Sequence, residues 1–236
     1  MSSRKAEQRR IKEEKQAAHQ RRDKLTGWLL KGGAVVVLVA AAVVFYEGLF
    51  LAPKTLPPGQ IAETDHVRGN TDAPHTLTVY ADFQCPACAT ELELITRAWP
   101  QIRDRTKFVF RYYPLDTHAH SFVAARYAEA AGKQDGFWPM HDVLFANQAL
   151  WADVDDPLPL FDGYAKQLGL DVMKLRQDLE LPEVRAKVLA DQRGGTAAGV
   201  RSTPTMFVDG RMALRNPATV GEIVKLVDDA AARAAD

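Results

Sequence analysis

Apolar and polar positions follow regular patterns along the C-terminal two thirds of the chain. Their alternation over 76–81 predicts a strand, because successive side chains of a strand point to opposite faces. Apolar residues then recur at spacings of three and four as far as Trp99, which predicts a helix over about 86–99. Aromatic and β-branched residues dominate 107–113 and favour a second strand. The first part of the domain is therefore expected to run strand, helix, strand.

A block of helices is predicted after the second strand. Apolar spacing of the helical kind covers 122–131, 137–145, 160–168, 171–179 and 182–198, with Gly169 as a helix stop. The chain then closes with a strand, a turn signal, a short pairing strand and an amphipathic helix, predicted over 205–209, Asp209-Gly210, 211–214 and 218–234. We therefore expect an α/β domain over 67–236 that carries an all-helical insertion at about 117–199.

The first 66 residues have a different pattern. The 19 residues from Trp28 to Tyr46 contain one charge, Lys31, and can cross a bilayer if that side chain reaches the interface. Residues 1–31 carry ten Lys and Arg against four acids. By the positive-inside rule, residues 1–27 form a basic cytoplasmic tail and the C-terminal domain lies outside the membrane. We expect a single-pass protein with its catalytic domain in the periplasm or at the cell exterior.

The apolar run has two other interpretations. A cleaved signal peptide would use the small residues at 40–42, but its charged region would be unusually long and apolar residues continue past those alanines. A buried helix of the folded domain would be expected to show a polar face, which this run lacks. The uncleaved anchor over 28–46 is therefore favoured. Pro53, Pro57, Pro58 and Gly59 predict a linker to the domain over 47–66.

The distribution of charge excludes one class of partner. Formal net charge is zero, but the basic start leaves the remainder of the chain with 20 basic and 26 acidic residues. An acidic domain repels the phosphate backbone, so nucleic-acid binding by the whole domain is excluded.

The chemistry is concentrated at Cys85-Pro86-Ala87-Cys88, which holds the only two cysteines in the chain. A disulfide across so short a loop removes little entropy from the unfolded chain, so reactivity explains the pair better than stabilisation. The pair follows a predicted strand and begins a helix, where backbone N–H groups stabilise a thiolate. Pro86 suits the first helical turn. We expect Cys85 to be the exposed, attacking sulfur and Cys88 to resolve the mixed disulfide.

These residues and the polar residues around them have other interpretations. A zinc site completed by His118 and His120 lacks a second ligand pair of the usual spacing, and an inert structural disulfide is the other alternative. The acidic loop at 153–156 has no ordered ligand pattern for calcium, so no metal is expected. Asp82 and Glu91 are candidate proton acceptors for Cys88, or else surface or capping carboxylates. His118, His120 and His141 are interpreted as packed or surface residues.

Three segments together resemble one family. Asp82-Phe83-Gln84-Cys85-Pro86-Ala87-Cys88, Phe137-Trp138-Pro139-Met140-His141-Asp142 and the run from Gly199 to Gly210 are similar to segments of the DsbA-like thioredoxin-fold proteins, over about residues 66–236. The resemblance implies a thioredoxin fold with a helical insertion. It also implies that Pro204, after Thr203, is cis and faces the cysteines, next to backbone that pairs with an extended substrate. An ordinary trans proline at the start of a strand is the alternative.

The expected function is disulfide formation in exported proteins with cysteine thiols, followed by reoxidation by a membrane partner. The Cys85–Cys88 disulfide itself carries two electrons, so no dissociable cofactor is expected. Ala87 offers the Cys85 thiolate neither a hydrogen bond nor a positive charge, which leaves a reductase or isomerase as an alternative. An isomerase is less favoured, because no separate dimerisation domain precedes the fold. A membrane-tethered peptide-binding or assembly module with a vestigial cysteine pair is an alternative of another class.

Overall fold

A computed structural model describes residues 33, 37–39, 42 and 56–235. The chain divides into two units, 1–52 and 53–236, and the second holds the predicted domain. The predicted tail, most of the predicted anchor and the first part of the predicted linker lie outside the described residues. Within the described ranges, no helix combines the length and apolar character needed to cross a bilayer.

The domain is built on one mixed sheet of five strands in the order β1–β3–β2–β4–β5. The strands are β1 His66–Arg68, β2 His75–Ala81, β3 Thr106–Tyr112, β4 Thr205–Val208 and β5 Arg211–Met212. β2 and β3 are parallel, and the other neighbouring pairs are antiparallel. All seven residues of β2 are buried, as expected for a central strand covered on both faces. The chain leaves the C-terminal end of β2 beside the start of β4, because Tyr80 lies opposite Thr205.

Eight helices occur in the described part of the second unit. They are α1 Pro86–Ile102, α2 Ser121–Gly132, α3 Phe137–Ala146, α4 Gln148–Trp151, α5 Leu158–Gln167, α6 Val172–Leu179, α7 Pro182–Ala197 and α8 Val220–Ala235. α1 connects the parallel strands β2 and β3, and α8 packs against it. The six helices α2–α7 all lie between β3 and β4 in the chain. The result is an α/β fold with a helical block inserted before the final hairpin.

Aromatic rings join the sheet to the inserted helices. Phe83 lies 5.3 Å from Phe110 on β3 and 4.7 Å from Phe145 on α3, measured between ring centroids. The imidazole of His141 packs edge-on against Phe110 at 4.6 Å. The helical block therefore shares one hydrophobic core with the sheet, and that core includes Cys85 and Cys88.

Several elements differ from their predicted bounds. α1 continues past Trp99 and through Pro100 to end at Ile102. Proline weakens a helix interior, but the complete burial of Ile102 favours the extra turn here. The strand β1 and the four-residue helix α4 were not predicted, because each is too short to show a periodic pattern.

Part of the predicted linker belongs to the folded domain. Asp65, only 1% exposed at its side chain, accepts two hydrogen bonds from the fully buried Arg111 on β3, at 2.7 and 3.2 Å. Arg111 also donates to the carbonyl oxygens of Leu56 and Gln60, at 2.6 and 2.8 Å. Lys187 on α7 donates to Asp65 at 3.0 Å. Residues 56–65 are thus fixed to the sheet by buried charges rather than forming a free linker.

Candidate active site

The cysteine loop connects the C-terminal end of β2 to the first turn of α1. Cys85 is the residue before the helix, with extended backbone (φ −77°, ψ 119°), and Pro86 occupies the first helical turn. Pro86 and Ala87 are exposed on the surface of that turn. Both cysteines are free thiols here, and the amide of Cys88 donates to the Cys85 carbonyl at 3.0 Å. The amides of Ala87 and Cys88, at the start of the helix, are the backbone donors beside the Cys85 sulfur.

The two sulfurs differ in accessibility. Cys85 is 7% exposed and Cys88 is fully buried, so only Cys85 presents surface to a substrate. Cys85 is nevertheless less exposed than the sequence predicts. The loop that carries Thr203 covers it, since the Cys85 sulfur lies 3.5 Å from the Thr203 carbonyl oxygen.

The two thiols also differ in acidity. A hydrogen bond from the Cys88 thiol, together with the Thr203 side chain and the amides of Cys88 and Ala87, lowers the pKa of Cys85 to about 5 against the opposing effect of burial. Burial raises the pKa of Cys88, and its hydrogen bond to Cys85 and the charge of Cys85 raise it further. Cys85 is therefore a thiolate at neutral pH, while Cys88 holds its proton. That is the division expected of an attacking and a resolving sulfur.

The segment before β4 lies directly against the cysteines. The Thr203–Pro204 peptide bond is cis. Thr203 is half-buried, Pro204 is buried, and Asn216 donates to the Pro204 carbonyl at 2.8 Å. The structure thus brings Cys85, Cys88, Thr203 and Pro204 together from positions far apart in the chain.

Asp82 holds the loop in place with its carboxylate. Its two oxygens accept hydrogen bonds from the amide of Gln84 at 2.8 Å, the amide of Leu115 at 2.9 Å and Nδ1 of His118 at 2.7 Å. The amide of Asp82 donates to the Cys88 sulfur at 3.4 Å. With three donors already on the carboxylate, this arrangement favours the structural role of Asp82 over that of a proton acceptor.

Glu91 has a very different environment. It lies one turn after Cys88 on α1, is 3% exposed, and its Oε1 has no hydrogen-bond partner among the described residues. Burial and then the charge of Cys85 raise the pKa of Glu91 to about 7. Of the two carboxylates singled out from the sequence, Glu91 is thus the one free to exchange a proton near neutral pH.

The inserted helices contribute residues that sequence reasoning missed. The buried side chain of Gln148 on α4 donates to the carbonyl oxygens of Phe83 and Cys85, at 2.6 and 3.0 Å. Gln84 donates to the Ala152 carbonyl and accepts from the amide of His120, both at 2.6 Å. These partners are 36 to 68 residues away in sequence, so no local pattern could have revealed them. They fasten the cysteine loop to the helical block.

The histidines have partners of their own. His118 binds Asp82, His120 Nε2 lies 2.7 Å from the Val154 carbonyl, and His141 lies among the core aromatics with Nδ1 2.8 Å from Asp142. In the described ranges, no group of three or more His, Cys, Asp or Glu side chains has the geometry to hold a metal ion. His118 and His120 are therefore occupied in positioning the loops around the cysteines.

Comparison with known proteins follows this geometry. A family model described as Thioredoxin matches residues 61–229. The chain belongs to the thioredoxin family. Among curated relatives, it is 40% identical over 164 residues to the Na+/H+ antiporter NhaA of Herminiimonas arsenicoxydans, which covers 67% of this chain and 24% of the antiporter. It is 38% identical over 156 residues to NhaA 1 of Salinispora arenicola, covering 63% and 22%. The chain thus spans about a quarter of the length of these relatives.

Solved structures of similar fold are DsbA-like proteins of the thioredoxin fold. BdbD from Bacillus subtilis has 23% sequence identity and a TM-score of 0.63, over 75% of this chain and 97% of BdbD. Alpha-DsbA1 from Wolbachia pipientis has 18% identity and a TM-score of 0.62, over 72% and 92%. MdbA from Corynebacterium diphtheriae, described as a thiol-disulfide oxidoreductase, has 18% identity and a TM-score of 0.57, over 77% and 98%. At these identities the comparison establishes the fold.

Proposed function

We propose that this thioredoxin-family domain is a thiol–disulfide oxidoreductase that forms disulfides in exported proteins. The observation that carries the proposal is the unequal pair of thiols, in which Cys85 has a pKa of about 5 and Cys88 is buried and protonated. Only a redox-active pair needs one accessible thiolate next to one shielded thiol. The thiol-disulfide oxidoreductase MdbA, which has a similar fold, supports the same class of reaction.

The reaction begins with the oxidised Cys85–Cys88 pair. A substrate thiolate attacks the Cys85 sulfur, the Cys85–Cys88 bond breaks, and Cys88 leaves and takes up a proton. A second substrate thiolate then attacks the substrate sulfur of the mixed disulfide, which forms the substrate disulfide and releases Cys85 as a thiolate. The substrate has lost two electrons to the cysteine pair. A membrane electron acceptor would restore the Cys85–Cys88 disulfide.

The low pKa of Cys85 supports oxidation as the direction. A thiolate that is stable at neutral pH stabilises the reduced form of the pair, which makes the disulfide form a stronger oxidant. Ala87 contributes through its amide rather than its side chain, together with the amide of Cys88. The Cys85 thiolate is therefore stabilised although the side chain of Ala87 can offer it neither a hydrogen bond nor a positive charge.

Substrate would bind beside the cis-proline segment. Thr203 is half-buried and its carbonyl oxygen faces the Cys85 sulfur, directly before the edge where β4 begins. An extended peptide that pairs with this backbone would place its own cysteine at Cys85, since main-chain pairing fixes the register of a bound strand. Exported proteins with free cysteines are the proposed substrates.

A membrane setting is part of the proposal. It is supported by the apolar run over 28–46, whose one charge is Lys31, by the excess of cations before that run, and by the similarity to Na+/H+ antiporters. The domain would then act outside the membrane, where disulfides persist.

The test is the redox state of the pair in cells, trapped with acid and then measured with a thiol reagent that adds mass. The chain has no other cysteine, so each added tag reports Cys85 or Cys88. We expect a mostly oxidised pair. A mostly reduced pair would reverse the direction to reductase or isomerase. A purified Cys85→Ser variant should no longer oxidise a reduced test protein. If cells that carry Cys85→Ser keep the wild-type phenotype, a binding module is favoured instead.

A further inference from the structure

We propose that Glu91 exchanges the proton of Cys88 each time the Cys85–Cys88 disulfide opens or closes. The inference rests on the proposed thiol–disulfide exchange and assigns one more residue to it. Cys88 and Glu91 are three residues apart on α1, so they are neighbours on one face of the helix, with Cβ atoms about 5–6 Å apart. Both belong to the buried face of that helix.

Helix geometry also sets the direction of the Glu91 side chain. Side chains on a helix lean towards its N-terminus and lie over the preceding turn. For Glu91, the preceding turn begins with Cys88. The side chain of Glu91, which is 3% exposed, therefore lies inside the core over the turn that begins with Cys88.

Cys88 needs an internal proton acceptor because it is fully buried. A thiol must lose its proton before it can attack a disulfide, and a dissolved base has no direct access to this one. Asp82, the other nearby carboxylate, already accepts three hydrogen bonds. The remaining buried residues near Cys88 on α1, Leu92 and Ile95, are apolar.

The buried Oε1 atom of Glu91 has no hydrogen-bond partner in the part of the chain that the structure describes. A buried polar atom without a partner costs about 1–3 kcal/mol, so each such atom in a folded protein asks for an explanation. A carboxyl group that formed a fixed hydrogen bond would be a poorer carrier of protons. The missing hydrogen bond at Oε1 is explained if this atom binds the proton of the Cys88 thiol in the transition state of exchange.

The proton moves as follows when the disulfide forms. Cys88 passes its proton to the Glu91 carboxylate, the Cys88 thiolate attacks the Cys85 sulfur of the mixed disulfide, and the substrate leaves as a thiolate. In the opposite direction, the Cys85–Cys88 bond breaks and Cys88 leaves as a thiolate. It then takes its proton from the Glu91 carboxylic acid.

The charge of Cys85 determines when Glu91 can accept the proton of Cys88. The negative charge on free Cys85 adds to burial in raising the pKa of Glu91, so the carboxyl group keeps its proton while Cys85 is a thiolate. In a mixed disulfide that charge is gone, and the carboxylate becomes ready to accept the proton of Cys88. The neighbouring helices do not change this: His141 and Asp142 on α3 bond to each other, and α8 packs with Ile223, Val227 and Ala230.

The two sulfurs can be followed separately with dithiobis(nitrobenzoate), a coloured aromatic disulfide. Reduced Cys85 attacks the reagent and releases one thionitrobenzoate, and Cys88 then displaces a second. Stopped-flow absorbance therefore gives a first phase for Cys85 and a second phase for Cys88. The experiment compares the full chain with its Glu91→Gln, Glu91→Asp and Glu93→Gln variants. Glu93 is the matched control because it is an exposed glutamate on the same helix.

General acid–base groups typically contribute about 10²–10⁴-fold, so Glu91→Gln should slow the second phase by about 100-fold and leave the first unchanged. The wild-type second phase should have an inflection between pH 4.5, the ordinary pKa of glutamate, and about 7, and Glu91→Gln should lose it. Glu91→Asp should recover part of the rate, and Glu93→Gln should behave as wild type.

Two results would overturn the assignment: a second phase unchanged in Glu91→Gln, or both phases slowed alike, which indicates a purely structural role. If the Gln variant does not fold, a wild-type second phase without that inflection overturns it as well. Failure of the proposed function looks different, because the wild-type chain would then lack a fast first phase.

Discussion

The sulfur of Cys85 lies 3.5 Å from the carbonyl oxygen of Thr203, although 118 residues separate them in sequence. This contact brings the start of α1 against the cis-proline segment before β4. The reactive atom therefore lies beside the backbone that we propose pairs with a bound peptide.

The pH dependence of alkylation measures the acidity of Cys85. Only the thiolate reacts with iodoacetamide, so the rate for the reduced protein should rise with pH through a midpoint of about 5. In a Cys88→Ala variant the midpoint should move up towards the ordinary thiol pKa of 9.0, because the hydrogen bond from Cys88 has the largest lowering effect. A wild-type midpoint near 9 would contradict the thiolate assigned to Cys85.

The two single cysteine variants should differ in what they capture. Cys88→Ser retains the attacking sulfur but cannot resolve, so mixed disulfides with exported proteins should accumulate on Cys85. Cys85→Ser leaves only the buried sulfur and should capture almost none. Non-reducing gels of cells that express each variant make the comparison. Equal capture by both variants would show that the roles of the sulfurs are not as assigned.

Gln148 should stabilise the cysteine loop from the helical block. Gln148→Ala leaves the buried Phe83 carbonyl without this donor, which typically costs about 1–3 kcal/mol in the free energy of unfolding. Urea unfolding of the reduced proteins provides the measurement. The matched control is Gln167→Ala on α5, whose side chain is exposed, and it should be within about 0.5 kcal/mol of wild type. Equal stability of the two variants would remove Gln148 from this role.

The buried ion pair of Lys187 with Asp191 should make the stability of a Lys187→Met variant depend strongly on pH. Lys187 donates to Asp191 at 2.8 Å, and burial raises the pKa of Asp191 to about 6 despite this contact. Lys187→Met removes an interaction that lowers the pKa, so the pKa of Asp191 should rise further. A carboxyl group with a raised folded-state pKa stabilises the fold when protonated, and this stabilisation is lost as pH rises through that pKa.

The free energy of unfolding of Lys187→Met should therefore fall between pH 5 and pH 8. Removing one partner of a buried ion pair lowers the free energy of unfolding by about 3–5 kcal/mol. We expect a decrease of that size for Lys187→Met at pH 8 and a smaller decrease at pH 5. Lys225→Met is the control, because its pair with Asp229 is largely exposed and should contribute about 0–1 kcal/mol. A loss that does not vary with pH would mean that Asp191 does not titrate in this range.

Local patterns in the sequence were enough to predict the α/β order and to single out Cys85 and Cys88. A CxxC pair after a strand and before a helix is a local signal, and so is the helical spacing from α2 to α7. The contact between Gln148 and Phe83, and the ion pair between Asp65 and Arg111, join residues far apart in the chain. Periodicity reports only which face of an element is buried, so it cannot identify such partners. For the same reason, the sequence could not show which of Asp82 and Glu91 has a carboxylate free of hydrogen-bond partners among the described residues.

The ion pair of Asp65 with Arg111 also determines where the stable part of the molecule begins. Proteases cut backbone that can leave the fold, and residues 56–65 are held to β3 through Asp65, the Leu56 carbonyl and the Gln60 carbonyl. Brief digestion of the native protein should therefore yield a resistant fragment that still contains Leu56. Any shortened version intended for crystallisation or for display on another scaffold needs to keep these ten residues, however much their prolines and glycine suggest a dispensable spacer.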